Sequence, residues 1–288
     1  MRLYLSSVFV GDRADELVRQ VGAGGRLAVV ANACDAYPDR ADDAHREVEE
    51  LSELGLRPVE VDLRDHDRRT LEEKLVECDG VWVRGGNTFV LREAMARSGF
   101  DVLLPDLLRR DAIAYGGYSA GCCVLGPSLR GIELADPPAE VRQVYGVEER
   151  YDGLGVLDFT VIPHVGAPGP EGDLIDETLA LYRRNRIPFV PLRDGQVLVV
   201  DGDPADLRPL LDRGACGLCR QPAGTQPVDR SWCRRSPKVS PSRSAPQDAS
   251  TTLAPQPTVT HEDTPSLVSI STRVIASVPW PWSRMRTL

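Results

Sequence analysis

The sequence predicts an α/β fold in which helices cover both faces of a mostly parallel sheet. Along residues 1–201, short apolar segments alternate with longer amphipathic ones, which is the pattern of parallel strands joined by helices. The chain has 288 residues, of which 42% are hydrophobic, enough to bury one sizeable core. No run of about 18 apolar residues occurs, so no membrane-spanning helix is predicted.

The predicted strands are short apolar runs bounded by polar residues, glycine or proline. Segment 26–32 is rich in valine and alanine, as a strand buried on both faces would be, and 58–63 alternates between apolar and polar residues. The predicted strands are 2–6, 26–32, 58–63, 80–84, 112–115, 159–162, 188–191 and 196–201.

The predicted helices have apolar residues three or four positions apart. In 41–54 the apolar side chains fall at residues 44, 48, 51 and 54, on one face of a helix. Asn87 or Thr88 is a suitable cap for the helix that follows the strand at 80–84. The predicted helices are 13–21, 41–54, 70–77, 88–97, 102–110 and 173–184.

Charge and proline content divide the chain near residue 210. Residues 1–210 carry a net charge of −14, whereas 211–288 carry +5 and hold 10 of the 23 prolines. A segment without apolar periodicity cannot bury enough surface to offset the entropy of ordering its backbone. We therefore predict a folded domain over 1–210 and a disordered tail over 211–288, of which only 266–282 is apolar enough to dock as a strand.

Composition also limits the location and the partners. The formal net charge of −9 argues against nucleic acid as the main partner, and the N-terminus is interpreted as a strand rather than a signal peptide. Seven cysteines, an odd number, do not suggest a disulfide framework, so a reducing, cytoplasmic location is predicted. Cys216, Cys219, Cys233 and His261 are spaced too loosely for a typical zinc site, so no metal is predicted.

The segment Gly-Tyr-Ser-Ala-Gly at 117–121 carries the strongest chemical signal. It lies between a predicted strand and a helix and matches the Gly-x-Ser-x-Gly nucleophile elbow. The sharp turn needs small residues two positions before and after the nucleophile, Ser119, and the amide of Ala120 can donate to an oxyanion. The alternative is a glycine-rich turn in which Ser119 only caps a helix.

A nucleophilic serine needs a base, and the predicted domain has three histidines. His45 lies on a strongly charged helix and His66 in a polar connection, so both are expected to face water. His164 follows an apolar strand at the edge where open α/β sheets bind ligands, which makes it the candidate base. The alternative is a strand-end histidine whose ring is satisfied by the backbone.

The acidic residue that orients the histidine is harder to choose. We sought it among the seven carboxylates between Ser119 and His164. Asp136 is favoured because Pro137 and Pro138 follow it and make its loop rigid, and Glu133 is the second candidate. Any of these carboxylates could equally be surface charge.

A second glycine-rich turn, Gly-Gly-Asn-Thr at 85–88, follows the strand at 80–84. Glycine allows a backbone amide to approach a substrate closely, so Gly86 is predicted to supply the second oxyanion donor. Asn87 in the same turn is predicted to contact the substrate. The alternative is a phosphate-binding turn, but neither a Gly-x-Gly-x-x-Gly motif nor a Walker lysine is present.

Together these motifs resemble the peptidase E family of serine peptidases (family S51), which includes cyanophycinase and aspartyl dipeptidase. The resemblance covers roughly residues 1–205 and rests on the turn at 85–88, the elbow at 117–121 and the Pro-His pair at 163–164. It implies a three-layer α/β sandwich of the flavodoxin-like or class I glutamine amidotransferase-like type. It also implies that Ser119 is the nucleophile, His164 the base and Asp136 the acidic residue, with oxyanion donors at Gly86 and Ala120.

The function expected from the resemblance is a serine peptidase of short peptides without a cofactor, and the narrower expectation is a dipeptidase that prefers N-terminal aspartate. Such a preference needs a cation near the site, and Arg84, Arg130 and Arg142 are the candidates. The expected partner is a small peptide, with no nucleic acid and no membrane, and a homodimer is left open. The alternatives are an esterase or amidase with the same triad and an inactive relative that only binds.

Overall fold

The computed structural model describes residues 1–204 and 272–275. The predicted domain boundary at 210, the predicted disorder of 211–288 and the cysteines around 216–233 therefore lie outside the described residues. The exception is the short segment Thr272–Ile275, which forms a strand within the apolar part of the predicted tail.

Most of the strands belong to one mixed sheet with the order β3-β2-β4-β5-β1-β8-β9. The first five strands in this order run parallel to one another, while β8 is antiparallel to both β1 and β9. Strands β6 and β7 form a separate parallel pair. The bounds are β1 (Arg2–Ser6), β2 (Arg26–Val30), β3 (Arg57–Glu60), β4 (Gly80–Val83), β5 (Ala114–Tyr118), β6 (Thr160–Ile162), β7 (Phe189–Pro191), β8 (Val197–Asp201) and β9 (Thr272–Ile275).

Helices connect the parallel strands and supply the outer layers. They are α1 (Ala14–Val21), α2 (Arg40–Glu53), α3 (Arg68–Leu75), α4 (Thr88–Ser98), α5 (Phe100–Arg109), α6 (Ala120–Cys123), α7 (Glu140–Tyr145) and α8 (Pro170–Asn185). None of the described helices is both long and apolar enough to cross a membrane.

Alternation of side chains along the strands produces two cores, one on each face of the sheet. Val81 and Val83 of β4 pack on one face with apolar residues of α3, α4 and α5. Trp82, between them, points to the other face and packs with residues of α1 and α2. The result is the predicted three-layer α/β sandwich.

Apart from β1, the elements with predicted bounds differ from them by one to three residues at one or both ends, and α7 was not predicted. Two of these differences have a visible structural cause. Strand β5 continues to Tyr118 rather than ending at 115, because Gly116 and Gly117 are paired with β4 and a Cβ at Gly116 would meet the Trp82 ring at 2.5 Å. Strand β3 ends at 60 rather than 63, since the Asp62 side chain accepts a hydrogen bond from Arg64 N and starts a 3₁₀ turn.

Candidate active site

Ser119 and His164 meet at the carboxyl edge of the parallel strands. Ser119 follows β5 directly, and His164 lies two residues after β6. The Ser119 Oγ to His164 Nε2 distance is 3.0 Å, within hydrogen-bond reach of a nucleophile and its base. The two residues are 45 positions apart in sequence, and the fold brings them together as predicted.

The other ring nitrogen of His164 contacts a carboxylate that the sequence analysis did not consider. Asp194 Oδ1 lies 3.0 Å from His164 Nδ1, and both side chains are 15% exposed. An Nδ1–H that donates to Asp194 leaves Nε2 as the acceptor that faces Ser119. Asp194 follows β7, the strand paired with β6, so the two residues leave neighbouring strands at the same edge.

Asp136, which was predicted to orient His164, does not make this contact; Asp194 makes it instead. Asp136 Oδ2 instead accepts hydrogen bonds from Thr88 N at 2.9 Å and Thr88 Oγ1 at 2.5 Å, at the N-terminus of α4. A carboxylate there is stabilised by unpaired amides, although burial raises its pKa to about 6. Glu133, the second candidate, accepts from the backbone amide of Gly131.

Asp194 lies after His164, outside the interval from Ser119 to His164 that holds the predicted acidic candidates. The available signal was an acidic residue three positions after the predicted strand at 188–191, which ends at the edge that carries the other candidates. Position along the chain is a poor guide, since triads with one geometry occur in several chain orders.

The elbow has the strained backbone that its motif predicts. Ser119 adopts φ 51° and ψ −114°, a conformation that a non-glycine residue rarely takes. A Cβ at Gly121 would lie 2.4 Å from Val83 O, and one at Gly117 would lie 3.0 Å from the same atom. Only glycine fits at 121, because β4 passes so close to the turn, and at 117 a larger residue would be tightly packed against the same carbonyl.

The predicted oxyanion turn packs directly against the elbow. A Cβ at Gly85 would lie 3.0 Å from the Cβ of Ser119. The carbonyl of Gly85 is held by Cys34 Sγ at 3.2 Å and Arg84 Nη1 at 3.3 Å. Since C=O and N–H point in opposite directions across a trans peptide, these contacts orient the Gly86 amide away from Arg84. Gly86 itself has φ 146°, in the region open to glycine.

Asn87 supports this turn and is not placed to bind substrate. It is fully buried, and its Oδ1 accepts from the amides of Phe89 and Val90 at the start of α4. Its Nδ2 donates to Pro137 O and Glu140 Oε2, both at 2.9 Å. The prediction of a substrate contact is therefore corrected, because all four of its hydrogen-bonding positions are occupied within the fold.

A buried charged cluster lies beneath the turn and the elbow. Glu47 of α2 faces the Nε of Arg84 at 3.2 Å, the indole N–H of Trp82 at 2.5 Å and the hydroxyl of Tyr118 at 3.2 Å. Burial raises the pKa of Glu47 to about 7, against the opposing effect of Arg84. The carboxylate of Glu47 therefore contacts both Arg84, which precedes Gly85, and Tyr118, which precedes Ser119.

The three arginines considered for substrate recognition are engaged elsewhere. Arg84 is 8% exposed and paired with Asp43 and Glu47, so it serves the cluster beneath the turn. Arg130 stacks over the ring of Tyr151 at 4.7 Å, and Arg142 pairs with Glu148.

Arg193, the neighbour of Asp194, is the cation beside the loop that follows His164. It is exposed, and a Cβ at Gly166 would lie 2.7 Å from its Nη1.

The remaining candidate groups lie outside the contacts that join Ser119, His164 and Asp194. His45 is exposed and pairs with Glu49, in line with the expectation that it faces water. Cys122 and Cys123 are buried, and burial raises the pKa of both thiols, so they are packing residues rather than nucleophiles. Within residues 1–204, no three His, Cys, Asp or Glu side chains gather in a way that could hold a metal ion.

Comparisons with known proteins agree with this fold. The model of Peptidase family S51 matches residues 24–208. Peptidase E of Streptomyces coelicolor is 32% identical over 197 residues, covering 64% of this chain and 72% of the relative. An uncharacterized peptidase of Listeria innocua is 32% identical over 114 residues, which span 40% of this chain and about half, 52%, of that protein.

Among solved structures, a putative peptidase E protein from Listeria monocytogenes superposes with a TM-score of 0.58 at 22% identity. The match covers 70% of this chain and 94% of the other, so it supports the fold. With the S51 family model matching most of the described residues, this chain belongs to Peptidase family S51.

Proposed function

We propose that this chain is a serine peptidase in which Ser119, His164 and Asp194 form the catalytic triad. The observation that carries the proposal is the continuous contact from Ser119 Oγ to His164 Nε2 and from His164 Nδ1 to Asp194 Oδ1, both at 3.0 Å. A nucleophile, a base and a group that orients the base are the three parts that acyl transfer requires.

In the first half of the reaction, Ser119 Oγ attacks the carbonyl carbon of a peptide bond and its proton passes to His164 Nε2. The carbonyl oxygen becomes an oxyanion, which accepts hydrogen bonds from the amides of Gly86 and Ala120. Collapse of this intermediate breaks the C–N bond, and the leaving amine takes the proton from His164. Asp194 holds the ring and stabilises the imidazolium while it exists.

In the second half, water attacks the resulting ester carbonyl. His164 accepts the proton of the water, the same amides bind the oxyanion, and the proton returns to Ser119 Oγ as the acid leaves. Each bond formed is matched by one broken, and no cofactor is needed in either half.

The substrates proposed are short peptides, with a preference for an acidic N-terminal residue. Two facts support the preference: the resemblance of the motifs to a family that includes aspartyl dipeptidases, and the exposed guanidinium of Arg193 beside the loop after His164. A carboxylate of the substrate would find in Arg193 a planar donor suited to bidentate pairing.

The test is labelling of the full-length protein by a fluorophosphonate probe, followed by hydrolysis of dipeptides and tripeptides with different N-terminal residues. Wild type is expected to be labelled, and Ser119→Ala and His164→Ala to lose labelling and about 10⁴-fold or more in turnover. His45→Ala, at an exposed histidine, is the matched control and should behave as wild type. A wild-type protein that is not labelled contradicts the proposal, and turnover of esters without peptides makes the chain an esterase.

A further inference from the structure

Ser7 lies at the end of β1, where the middle of the main sheet meets the proposed triad. Strand β1 ends at Ser6 and pairs with β5, whose end carries Ser119. Ser7 is fully buried, although its side chain is a hydroxyl. A buried hydroxyl costs free energy unless its hydrogen bonds are made, so its partners decide what it does.

Those partners belong to two of the proposed catalytic residues. Ser7 Oγ accepts a hydrogen bond from the backbone N–H of His164 at 2.8 Å. It donates to Asp194 Oδ1 at 3.0 Å, with Leu192 O as a more distant acceptor at 3.4 Å. One hydroxyl thus connects the backbone of the base to the carboxylate that orients it.

We propose that Ser7 is a positioning residue of the active site, fixing the backbone of His164 and the carboxylate of Asp194 to the end of β1. The proposal rests on the proposed function. Ser7 does not touch the reacting atoms; it acts through His164 and Asp194.

The backbone of His164 is where such a fixed acceptor is needed. His164 has φ 61°, a left-handed conformation that is unfavourable for a residue with a Cβ. The hydrogen bond from its N–H to Ser7 and the one from Val165 N to Leu192 O hold the backbone on both sides of the imidazole. Without Ser7, this partly buried N–H would lose its acceptor and the ring its fixed distance to Ser119.

The carboxylate of Asp194 is the second target. Its Oδ1 accepts from both Ser7 Oγ and His164 Nδ1, so the two donors share one oxygen. The donation from Ser7 spreads the negative charge and weakens the attraction between Asp194 and an imidazolium. Removing the hydroxyl should therefore favour the protonated ring. Among the charged groups near the His164 ring, Asp194 contacts it and Asp136 acts on it through space.

The experiment measures the rate of fluorophosphonate labelling against pH for the full-length wild type, Ser7→Ala and Ser7→Thr. Ser98→Ala is the matched control, because Ser98 is also a buried hydroxyl that accepts a backbone N–H and donates to a backbone carbonyl, in α4 away from the triad. Ser7→Ala should label about 10- to 100-fold more slowly, the effect of one hydrogen bond to a charged group.

The acidic limb of the Ser7→Ala profile should also move to higher pH, by up to about one unit. Ser7→Thr, which keeps the hydroxyl, should recover most of the rate, and Ser98→Ala should keep both the rate and the limb. A Ser7→Ala protein with the wild-type rate and limb overturns the proposal. The proposal is also overturned if Ser7→Ala labels more slowly and melts at a lower temperature while the acidic limb of its pH profile stays at the wild-type pH, since that is a purely structural effect.

A measurement independent of activity separates this proposal from the proposed function. The chain has four histidines, so the imidazole signal of His164 can be followed by NMR and assigned with His164→Gln. A higher titration midpoint of that signal in Ser7→Ala supports the role of Ser7 even if wild type is not labelled. An unchanged midpoint overturns it, whatever the labelling shows.

Discussion

Replacing Asp194 with asparagine is the sharpest test of the proposed triad. The change keeps the size of the side chain but removes the charge that lies 3.0 Å from His164 Nδ1. Loss of a hydrogen bond to a charged group costs about 1.5–3 kcal/mol, or about 10- to 100-fold in rate. The amide also presents an N–H to Nδ1, which favours the tautomer with its proton on Nε2, and that nitrogen can then no longer take the proton of Ser119.

The two effects together predict a fall in kcat/KM and in the labelling rate of roughly 10²- to 10⁴-fold for Asp194→Asn, the upper figure being that of triads in which the tautomer is reversed. Asp136→Asn is the matched variant. Its side chain can still accept from Thr88 N and Oγ1, and it does not contact the ring of His164, so its labelling rate should stay within about tenfold of wild type.

Labelling by the fluorophosphonate is the decisive assay, because it reports the nucleophile without requiring a particular peptide. Melting curves of both variants show whether the fold is kept. If Asp194→Asn labels within tenfold of wild type while Asp136→Asn loses a hundredfold or more, then Asp136, and not Asp194, is the acidic member of the triad.

The packing and the charges of the described residues support three further predictions. Gly121→Ala, whose Cβ would lie 2.4 Å from Val83 O, should lower the free energy of unfolding by about 1–3 kcal/mol in urea titrations and slow labelling, whereas an unchanged protein would show that the elbow has room. In wild type, burial raises the pKa of Glu47 from 4.5 to about 7, so folding binds a proton between these pH values. The free energy of unfolding therefore falls as pH rises through that window, by on the order of 3 kcal/mol. Between pH 5 and pH 7.5, the free energy of unfolding measured in urea should fall less for Glu47→Gln than for wild type, with a remainder from Asp136, whose pKa burial also raises. A fall as large as that of wild type would assign the whole pH dependence to groups other than Glu47. Arg193→Gln should raise KM about 10-fold for peptides with an N-terminal acidic residue and leave neutral peptides unchanged, and equal effects on both would exclude side-chain recognition.

The strands were predictable where local pattern decides them. Segment 2–6 is the strand β1, and 196–201 differs from β8 by one residue, because both are apolar runs bounded by polar residues or glycine. Region 124–159 was not predictable in the same way. The helix in this region, α7, has only six residues. Outside the helix, the backbone amides of Leu129 and Leu154 donate to Tyr151 O and Val124 O, which lie more than twenty residues away in sequence. Such tertiary contacts leave no periodicity in the sequence.

The candidate site also has parts that local sequence motifs predict and parts that only tertiary contacts bring together. The elbow and the glycine turn were predictable because each is a local motif whose backbone geometry requires particular residues. The proposed acidic residue was not, since any carboxylate at the right edge of the sheet could serve, and only the pairing of β6 with β7 brings Asp194 to His164. Ser7 carries no motif, and its role becomes visible only through its two hydrogen-bond partners.

The backbone conformations give an independent argument that this edge is functional. Among residues 1–204, five non-glycine residues have a positive φ, and two of them are Ser119 and His164. Conformations of this kind cost about 1–3 kcal/mol each and persist only where the surroundings impose them. Here Val83 O crowds the turn around Ser119, and Ser7 Oγ holds the amide of His164. These two strained residues bring their side chains to 3.0 Å from each other. Such fixed geometry, set before any substrate binds, is what the proposed nucleophile and base require.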